Sequence, residues 1–311
     1  MPRSDMLQLC NDRLSVCLLP SAGGAIARFD WLGQGRRELP LMRPCDGSPE
    51  VSPGRYEPNR LACYPLLPWS NRIAHGGFFH GGRRIALALN RKDDPYPIHG
   101  SGWQRAWSVR EHEADVAVLV VDEIAPEAHS YRASLEYRLE RDTLRVALRV
   151  TNTGSFALPF GLGLHPFFPL HGGVRLRAAA TSVWLNDGYD PLPVRRAPVP
   201  TEWDFSSDRE LPSGGLNHAF VGWRGQATIE WPALALRLHV EADTDGYILY
   251  VPEGEDFFCM EPVDHPINAV HLPGGPIANG MTDLAPGETL ERAFAFRAEA
   301  SDSRKEERSH S

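Results

Sequence analysis

Apolar residues recur at every second position along much of this 311-residue chain. In SYRASLEYRLE (residues 130–140) tyrosine, alanine and leucine alternate with polar side chains, and the alternation repeats in LRVALRV (144–150) after the turn-like RDT. A period of two gives an antiparallel strand one apolar and one polar face, whereas a helix needs a period near 3.6. Residues 131–151 are therefore predicted to form a β-hairpin.

The same alternation predicts strands elsewhere, and no stretch shows a sustained helical stripe. The 28 glycines and 27 prolines are typical of short strands joined by turns. We therefore predict an all-β fold, a large antiparallel β-sandwich formed by a single domain. Further strands are predicted in RRIALAL (83–89), AWSVREHE (106–113), VAVLVVDE (116–123), VRLRAAA (174–180), LALRLHVE (234–241), GYILYV (246–251), FFCME (257–261) and TLERAFAFR (289–297).

Two segments are predicted to lie outside this strand pattern. The proline-rich stretch YDPLPVRRAPVPTEWDF (189–205) is interpreted as a surface loop with extended backbone. The polar end of the chain is predicted to be a disordered tail over residues 298–311, so the domain would span residues 1–297. No repeat and no change in composition indicates a second domain.

Composition and charge exclude several classes of function. A net charge of -8 disfavours nucleic acid as a partner, because phosphate binding needs a basic surface. Five cysteines without a CxxC pair indicate neither a disulfide framework nor a structural zinc site. The start of the chain lacks the apolar core of a signal peptide, and the longest apolar run, VAVLVV (116–121), is too short to cross a membrane. We expect a cytoplasmic protein.

The stretch PFGLGLHPFF (159–168) combines two glycines, a histidine and a proline. In an extended strand Gly161, Gly163 and His165 share one face, while Leu162 lies on the other. Glycine in a strand marks a bulge or a place where a ligand or another backbone comes close. Pro166 is expected to end the strand. The alternative interpretation is a packing kink beside a hydrogen-bonded structural histidine.

A second strand is expected to end in the same way, at Pro262 in FFCMEPVDHPINAV (257–270). Period two places Glu261 on the same face as Phe257 and Cys259. A carboxylate at the end of an apolar strand is seldom buried without a partner or a role. If the two strands meet, His165 and Glu261 form a proton donor and a proton acceptor. The alternative is that Glu261 belongs to a structural salt bridge.

Two turn-rich stretches supply candidate binding groups. PWSNRIAHGGFFHGG (68–82) contains Asn71 and Arg72, and YPIHGSGW (96–103) contains His99 and Trp103. Arg72 offers a fork of donors for hydroxyl groups, and Trp103 offers an apolar ring for a sugar to pack against.

No catalytic metal is predicted. His75 and His80 lie five residues apart, a spacing that directs them to opposite faces of a strand. Nothing in the chain matches a metal-binding motif such as HExxH.

Taken together, these stretches resemble the aldose 1-epimerase (galactose mutarotase) family, whose members are cofactor-free sugar epimerases with a large antiparallel β-sandwich. The resemblance extends to about residue 297. The motifs that carry it, in chain order, are LLPSAGGAIARFDWLG, NRIAHGGFFHGGRRIALALN, IHGSGW, GLGLHPFF, GGLNHAF and CMEPVDHPINAV.

The resemblance implies roles for individual residues. Glu261 matches the family's general base and His165 its general acid. Arg72 and His99 match substrate-binding positions. Asn217, which precedes His218, stands where the family usually has an aspartate, and it can still donate and accept hydrogen bonds.

The chemistry that the resemblance implies is ring opening and closure of an aldose. Glu261 would take the proton of the C1 hydroxyl while His165 protonates the ring oxygen, and rotation about C1–C2 precedes closure. In this scheme Gly161 and Gly163 would keep the floor of the site clear for a sugar, and Asn71 and Trp103 would also contact it.

Two alternatives remain open at this stage. A sugar-binding or regulatory module on the same fold would keep the binding groups but would not need the acid and base. A sugar-phosphate epimerase would need a basic cluster, and Arg195 and Arg196 in the proline-rich stretch are the candidates. We predict an unphosphorylated aldose as the substrate, and the sequence leaves the oligomeric state open.

Overall fold

The structure, a computed structural model, describes residues 6–33, 38–45 and 57–301. Residues 302–311 of the predicted tail lie outside the described residues. Residues 298–300 differ from the prediction, because the last strand continues to Ala300. Ala298 is fully buried there and pairs with Leu238. Because this alanine is buried in the core, the strand continues past residue 297, where the polar end of the chain begins.

Twenty-four strands are present in the described part of the chain. In chain order they are β1 (Leu7–Cys10), β2 (Leu14–Leu19), β3 (Ala25–Trp31), β4 (Leu39–Pro40), β5 (Cys63–Leu66), β6 (Gly77–His80), β7 (Arg83–Ala86), β8 (Ser108–His112), β9 (Val116–Glu123), β10 (Tyr131–Glu140), β11 (Thr143–Asn152), β12 (Leu158–Phe160), β13 (Gly163–Pro169), β14 (Arg175–Arg177), β15 (Ser182–Leu185), β16 (Arg195–Pro198), β17 (Arg209–Glu210), β18 (Leu216–Val221), β19 (Gln226–Trp231), β20 (Leu236–Ala242), β21 (Gly246–Val251), β22 (Phe257–Val263), β23 (Thr282–Leu284) and β24 (Thr289–Ala300).

Helical structure in the described ranges is short. Leu234, predicted to open a strand, lies in one of the 3-10 turns instead. Among the described residues no helix has the length and apolarity that crossing a bilayer requires. The turns are one α-helical turn, α1 (Gly275–Ala278), and the 3-10 turns Pro58–Arg60, Ala74–Gly76, Gly102–Gln104, Thr201–Trp203, Pro232–Leu234 and Ala269–His271.

Two large antiparallel sheets form the sandwich, which confirms the predicted fold class. The larger sheet has eleven strands in the order β1-β2-β3-β5-β13-β22-β21-β18-β15-β16, with β4 added beside β3. The smaller has nine, in the order β17-β14-β19-β20-β24-β11-β10-β9-β8. The predicted hairpin is confirmed as β10 and β11, which pair from Tyr131 with Asn152 to Glu140 with Thr143.

The main core lies between the two sheets and contains one face of each. Leu164, Phe168 and Met260 from the larger sheet belong to it, as do Leu135 and Leu148 from the smaller sheet. A second, smaller core lies on the outer face of the larger sheet, beneath the loops. This outer face of the larger sheet carries the candidate site.

The proline-rich stretch is more ordered than predicted. Residues 195–198 form strand β16, which pairs with β15 from Leu185 with Arg195 to Ser182 with Pro198. Pro198 is tolerated because β16 is the edge of the sheet, where a missing N–H donor disrupts no further pairing. The remainder of residues 189–205 lies largely in loop, as expected.

Candidate active site

His165 and Glu261 lie side by side on the outer face of the larger sheet. Their strands β13 and β22 are neighbours, and the register that pairs Gly163 with Val263 also pairs Phe167 with Cys259. The same register places His165 opposite Glu261, with Nε2 of the histidine 3.4 Å from Oε1 of the glutamate. We call these two residues the site pair. The sequence analysis anticipated this meeting of two strands but did not establish it.

Both prolines beside the site pair lie within strands, contrary to the prediction that the strands stop there. β13 continues through Pro166 and β22 through Pro262. The ladder between these strands has no paired residues from 164 to 166, and it resumes in the same register. Proline has no N–H to donate, so it is tolerated where the ladder is already interrupted. The site pair occupies this interruption.

Burial sets the charge of the site pair. Glu261 is 2% exposed and His165 is 7% exposed. Burial raises the pKa of Glu261 to about 8, against the opposing effect of the Arg72 charge. Burial also lowers the pKa of His165 to about 3. Although the two side chains are close enough to form an ion pair, a desolvated site favours a neutral carboxylic acid beside a neutral imidazole. Between these values the site pair holds one proton.

Each member of the site pair has a buried polar atom without a hydrogen-bond partner in the described part of the chain. These atoms are Nδ1 of His165 and Oε2 of Glu261. Buried polar groups in proteins nearly always have partners, because leaving one unsatisfied costs about 1–3 kcal/mol. A ligand that binds beside the site pair can supply the missing hydrogen bonds.

Arg72 lies in the loop after β5 and is held by Asp94. Its Nε and Nη2 atoms lie 2.9 Å and 2.7 Å from Oδ2 of Asp94, and its Nη1 donates to Oδ1 of Asn71 at 3.4 Å. Asp94 was missed by the sequence analysis. The only signal for it was an acidic pair, Asp93 and Asp94, in a short polar turn, which is common on any surface. The carboxylate pairs with the guanidinium and orients it.

His99 is adjacent to His165, with the ring centroids 5.2 Å apart and nearly perpendicular. The Asn71 backbone N–H donates to Nδ1 of His99 at 3.0 Å, so the ring proton is assigned to Nε2. Burial lowers the pKa of His99 well below its usual value, which keeps the ring neutral. His99 is therefore a neutral N–H donor, and Asn71 serves mainly to position it and Arg72.

Trp103 lies beneath the site, and its predicted contact with a sugar needs correction. The side chain is 0% exposed, and its ring stacks on Tyr64 at 5.3 Å while its Nε1 donates to the Gly100 carbonyl. A fully covered ring offers no face to a ligand. Tyr64, which sequence reasoning missed, packs between Trp103 and His165, with a ring distance of 4.6 Å to the histidine.

The two glycines before His165 make room for protein and not for a sugar. A Cβ atom at Gly161 would lie 2.2 Å from Cδ2 of His265, and one at Gly163 would lie 2.7 Å from the Pro262 carbonyl oxygen. The predicted clear floor is therefore wrong, because neighbouring residues already fill the space beside both glycines. The alternative of a close backbone approach describes Gly163 correctly.

Asn217 lies on the site's side of the sheet, two strands from the site pair. It pairs with Tyr250 in β21, and Tyr250 in turn pairs with Cys259 in β22. His218 lies on the opposite face, where its ring packs against Trp203 at 5.0 Å. Period two therefore separates these neighbours, and only Asn217 shares a face with Glu261.

The remaining candidates lie away from the site pair. Arg196 faces the same side as Trp184, but it is four strands from β22, about 19 Å at the usual strand spacing. His80 pairs with Asp283 at 2.9 Å, and the ring of His75 packs against His271.

One additional residue, Cys259, does lie at the site. Its sulfur, a His165 nitrogen and a Glu261 oxygen are all within 4.8 Å of one another.

Comparisons with known proteins identify a family for this chain. A family model described as aldose 1-epimerase matches residues 5–297. The uncharacterized protein YphB of Escherichia coli K12 is 34% identical over 286 residues, which cover 89% of this chain and 93% of YphB. The uncharacterized protein YihR of the same strain is 32% identical over 268 residues, covering 80% and 84%.

Solved structures show the same fold. An E. coli K12 protein described as a candidate aldose 1-epimerase has a TM-score of 0.84 and 32% identity, covering 95% of this chain and 99% of its own. A GalM/aldose epimerase homologue from Caenorhabditis elegans has a TM-score of 0.81 at 15% identity, covering 96% and 99%. At 15% identity, the similarity to the C. elegans protein shows a common fold alone.

Proposed function

Because this chain belongs to the aldose 1-epimerase family, we propose that it interconverts the α and β anomers of a free aldose by acid–base catalysis. The observation that carries the proposal is the site pair. A carboxyl and an imidazole group lie 3.4 Å apart, buried, and each has a polar atom that no described residue partners. Arg72 and His99 lie beside the pair as donors for sugar hydroxyls.

The reaction needs one acid and one base at the same time. One group removes the proton from the C1 hydroxyl while the other protonates the ring oxygen, so the C1–O5 bond breaks and a C1 carbonyl forms. Rotation about C1–C2 presents the other face of the carbonyl. Reversal of both proton transfers then closes the ring as the opposite anomer, and the site pair returns to its starting state.

A single proton on the site pair satisfies this requirement. Burial alone favours a protonated Glu261. The roles implied by the family resemblance, with His165 as the acid and Glu261 as the base, instead require the proton on His165. A sugar hydroxyl that donates to Glu261, together with the positive charge of Arg72, favours the carboxylate. We propose that sugar binding moves the proton to His165, which then acts as the acid while Glu261 acts as the base.

The arginines near the site favour a neutral substrate. Arg72 is held by Asp94, and Arg91 pairs with Asp93. The guanidinium of Arg43 packs 4.1 Å and 4.2 Å from two phenylalanine ring centroids. A phosphate would have to compete for groups that are already engaged, and Arg196 lies four strands away from β22. These contacts support a free aldose as the substrate.

The proposed proton transfers use side chains alone, so activity should require no cofactor. A positioned acid or base typically contributes about 10²–10⁴-fold, which is ample for a reaction that also proceeds slowly in water. Anomer exchange should therefore survive treatment with a chelator. Loss of exchange that one divalent ion restores would contradict the proposed mechanism.

The decisive experiment is anomer exchange measured by NMR across a panel of free and phosphorylated aldoses, with the spontaneous rate subtracted. We expect fast exchange of at least one free aldose by the wild-type protein and a rate lower by about 10²–10⁴-fold in Glu261→Gln. Faster exchange of a hexose 6-phosphate than of every free sugar would favour the sugar-phosphate epimerase. Sugar binding without exchange of any aldose would favour the binding module.

A further inference from the structure

Cys259 places a thiol beside the two groups that exchange protons. It precedes Glu261 by two residues on the same strand, so the two side chains share a face, and it is 0% exposed. Its sulfur lies within 4.8 Å of donor atoms of both Glu261 and His165. The proposed proton transfers do not use this thiol.

The distances fit a zinc ion better than a magnesium or calcium ion. Ligand atoms 2.0–2.3 Å from a tetrahedral zinc lie about 3.3–3.8 Å from one another. The 3.4 Å between His165 Nε2 and Glu261 Oε1 already matches this spacing. The sulfur needs to approach by about 1 Å, a movement within reach of a side-chain rotation. Imidazole and thiolate are ligands that zinc prefers, whereas magnesium and calcium prefer sets of oxygen atoms.

The site pair is not fully committed to other protein groups. Nε2 of His165 and Oε1 of Glu261, the atoms whose spacing fits the ion, contact each other, and Nδ1 and Oε2 have no partner among the described residues. Three protein ligands leave a fourth position of a tetrahedral ion for water or a sugar hydroxyl. A bound ion would also replace the thiol proton and the proton of the site pair.

We propose that His165, Cys259 and Glu261 form a binding site for a thiophilic divalent ion such as zinc, and that the ion inhibits the protein by occupying the site pair. Coordination uses the lone pairs that would carry the catalytic proton, so metal binding and proton transfer are mutually exclusive. Inhibition rests on the proposed function, whereas metal binding does not.

Metal binding is tested first, without any assay of activity. Cobalt(II) serves as a spectroscopic substitute for zinc, because a cobalt–thiolate bond gives an intense charge-transfer band in the near ultraviolet. We expect this band at one equivalent in the wild-type protein, its disappearance on addition of zinc, and no effect of magnesium. Cys259→Ser and Cys259→Ala should both lack the band, and two replacements guard against one that fails to fold.

Cys17→Ser is the matched control, because Cys17 is also buried but lies in strand β2, away from the site. It should keep the band. The His75 and His271 rings, 5.1 Å apart on the surface, can also attract metal but supply no sulfur. A cobalt–thiolate band that persists in both Cys259 variants would overturn the proposal. So would a wild-type protein that binds zinc but shows no thiolate band with cobalt.

The second arm measures zinc inhibition of anomer exchange. The zinc concentration that halves the rate should rise at least about tenfold in Cys259→Ala and stay unchanged in Cys17→Ser, since loss of even a supporting contact to a metal ligand changes affinity 10–100-fold. If the same zinc concentration halves the rates of Cys259→Ala and Cys17→Ser, the inhibitory role of the metal site would be overturned. A protein that shows the cobalt band but exchanges no aldose would disprove the proposed function and leave the metal site intact.

Discussion

Two buried acid–histidine pairs lie within a few residues of each other, and only one of them is fully hydrogen-bonded. The second consists of Asp264 and His265, just after β22, and we call it the corner pair. Asp264 accepts a hydrogen bond from the Leu162 backbone N–H at 2.8 Å and from Arg292 at 2.6 Å. In the site pair, by contrast, each side chain keeps an atom without a partner in the described ranges.

The histidines differ in the same way. His265 accepts the Ser70 backbone N–H at 3.1 Å on Nε2, and its Nδ1 donates to the Pro266 carbonyl at 2.9 Å. Both its nitrogens are thus used within the protein. His165 contacts Glu261 through Nε2 and leaves Nδ1 free of any partner in the described residues. Equal burial therefore has different consequences: complete hydrogen bonding holds a corner of the fold, whereas incomplete hydrogen bonding leaves atoms for a ligand.

The pKa values follow the same contrast. Burial raises the pKa of Asp264 to about 6, with Arg292 and the Leu162 N–H acting against it. Burial raises the pKa of Glu261 to about 8, and only the Arg72 charge opposes it. A carboxyl group with fewer stabilising contacts keeps its proton to a higher pH. This difference suits Asp264 to a structural role and Glu261 to proton transfer near neutral pH.

The largest effect is expected for Glu261→Gln. Glutamine keeps the size and much of the hydrogen bonding but cannot exchange a proton, so kcat should fall about 10²–10⁴-fold while sugar binding changes little. His165→Asn should act alike, and the double variant should be scarcely slower than either single one, because both groups work in one step. NMR exchange and a sugar titration check this. A near-normal rate in Glu261→Gln would rule out the acid–base role.

The converse is expected for Asp264→Ala. Removing this carboxylate leaves Arg292 and the Leu162 N–H without their acceptor, so the free energy of unfolding should fall by about 3 kcal/mol. Urea unfolding measures the loss, and kcat of the folded fraction should fall far less than in Glu261→Gln. A selective loss of kcat at unchanged stability would show that the two pairs do not differ as described.

A smaller loss of stability is expected for Gly161→Ala. The added methyl group would overlap the His265 ring, and overpacking of this kind costs about 1–3 kcal/mol. His265→Ala removes the ring, so the same glycine replacement should cost less in that background. Urea unfolding of the four proteins forms a double-mutant cycle. Additive losses would show that the ring does not set the requirement for glycine.

The pH dependence of kcat/KM should be the most modest of these effects. Above about pH 8 Glu261 loses the proton of the site pair while His165 is already neutral, so no acid remains and kcat/KM should fall about tenfold per pH unit. If both groups had their ordinary pKa values, the histidine would instead lose the proton at about pH 6.5. NMR rates corrected for spontaneous exchange at each pH separate these cases, and a decline centred near pH 6.5 would contradict the neutral pair.

The raised pKa of Glu261 also predicts a change in stability. The folded state keeps this proton to about pH 8, whereas the unfolded chain releases it near the ordinary glutamate pKa of 4.5. The contribution of Glu261 to stability is therefore complete below about pH 4.5 and is lost as pH rises through 8. Urea unfolding of the wild type and Glu261→Gln across this range should show the slope in the wild type alone.

Much of the fold was predictable because alternation is a local property. Residues 131–151 form the expected hairpin, and β22 places Cys259 and Glu261 on one face as the sequence indicated. The extension of β13 and β22 through their prolines was not predictable, because it depends on an interrupted ladder between strands about a hundred residues apart. The pairing of β16 with β15 was missed for a similar reason, since an edge strand tolerates prolines that a central strand excludes.

The candidate site was only partly predictable. His165, Glu261, Arg72 and His99 were singled out from the sequence, and the structure brings them together. Asp94 and Tyr64 were not, because neither a polar turn nor an alternating strand shows which distant side chain it will contact. Trp103 and Gly161 were assigned to the substrate, whereas the structure packs them against other residues.

The sequence by itself determined which side chains share a strand face, because successive residues of an extended backbone point to opposite sides. It also determined that His165 and Glu261 would each follow an apolar strand segment. Only the tertiary structure decided that these strands are neighbours in matching register, and that the described residues give the site pair fewer partners than the corner pair. Strand order and hydrogen-bond partners depend on packing between residues far apart in the chain, and local alternation contains no information about that packing.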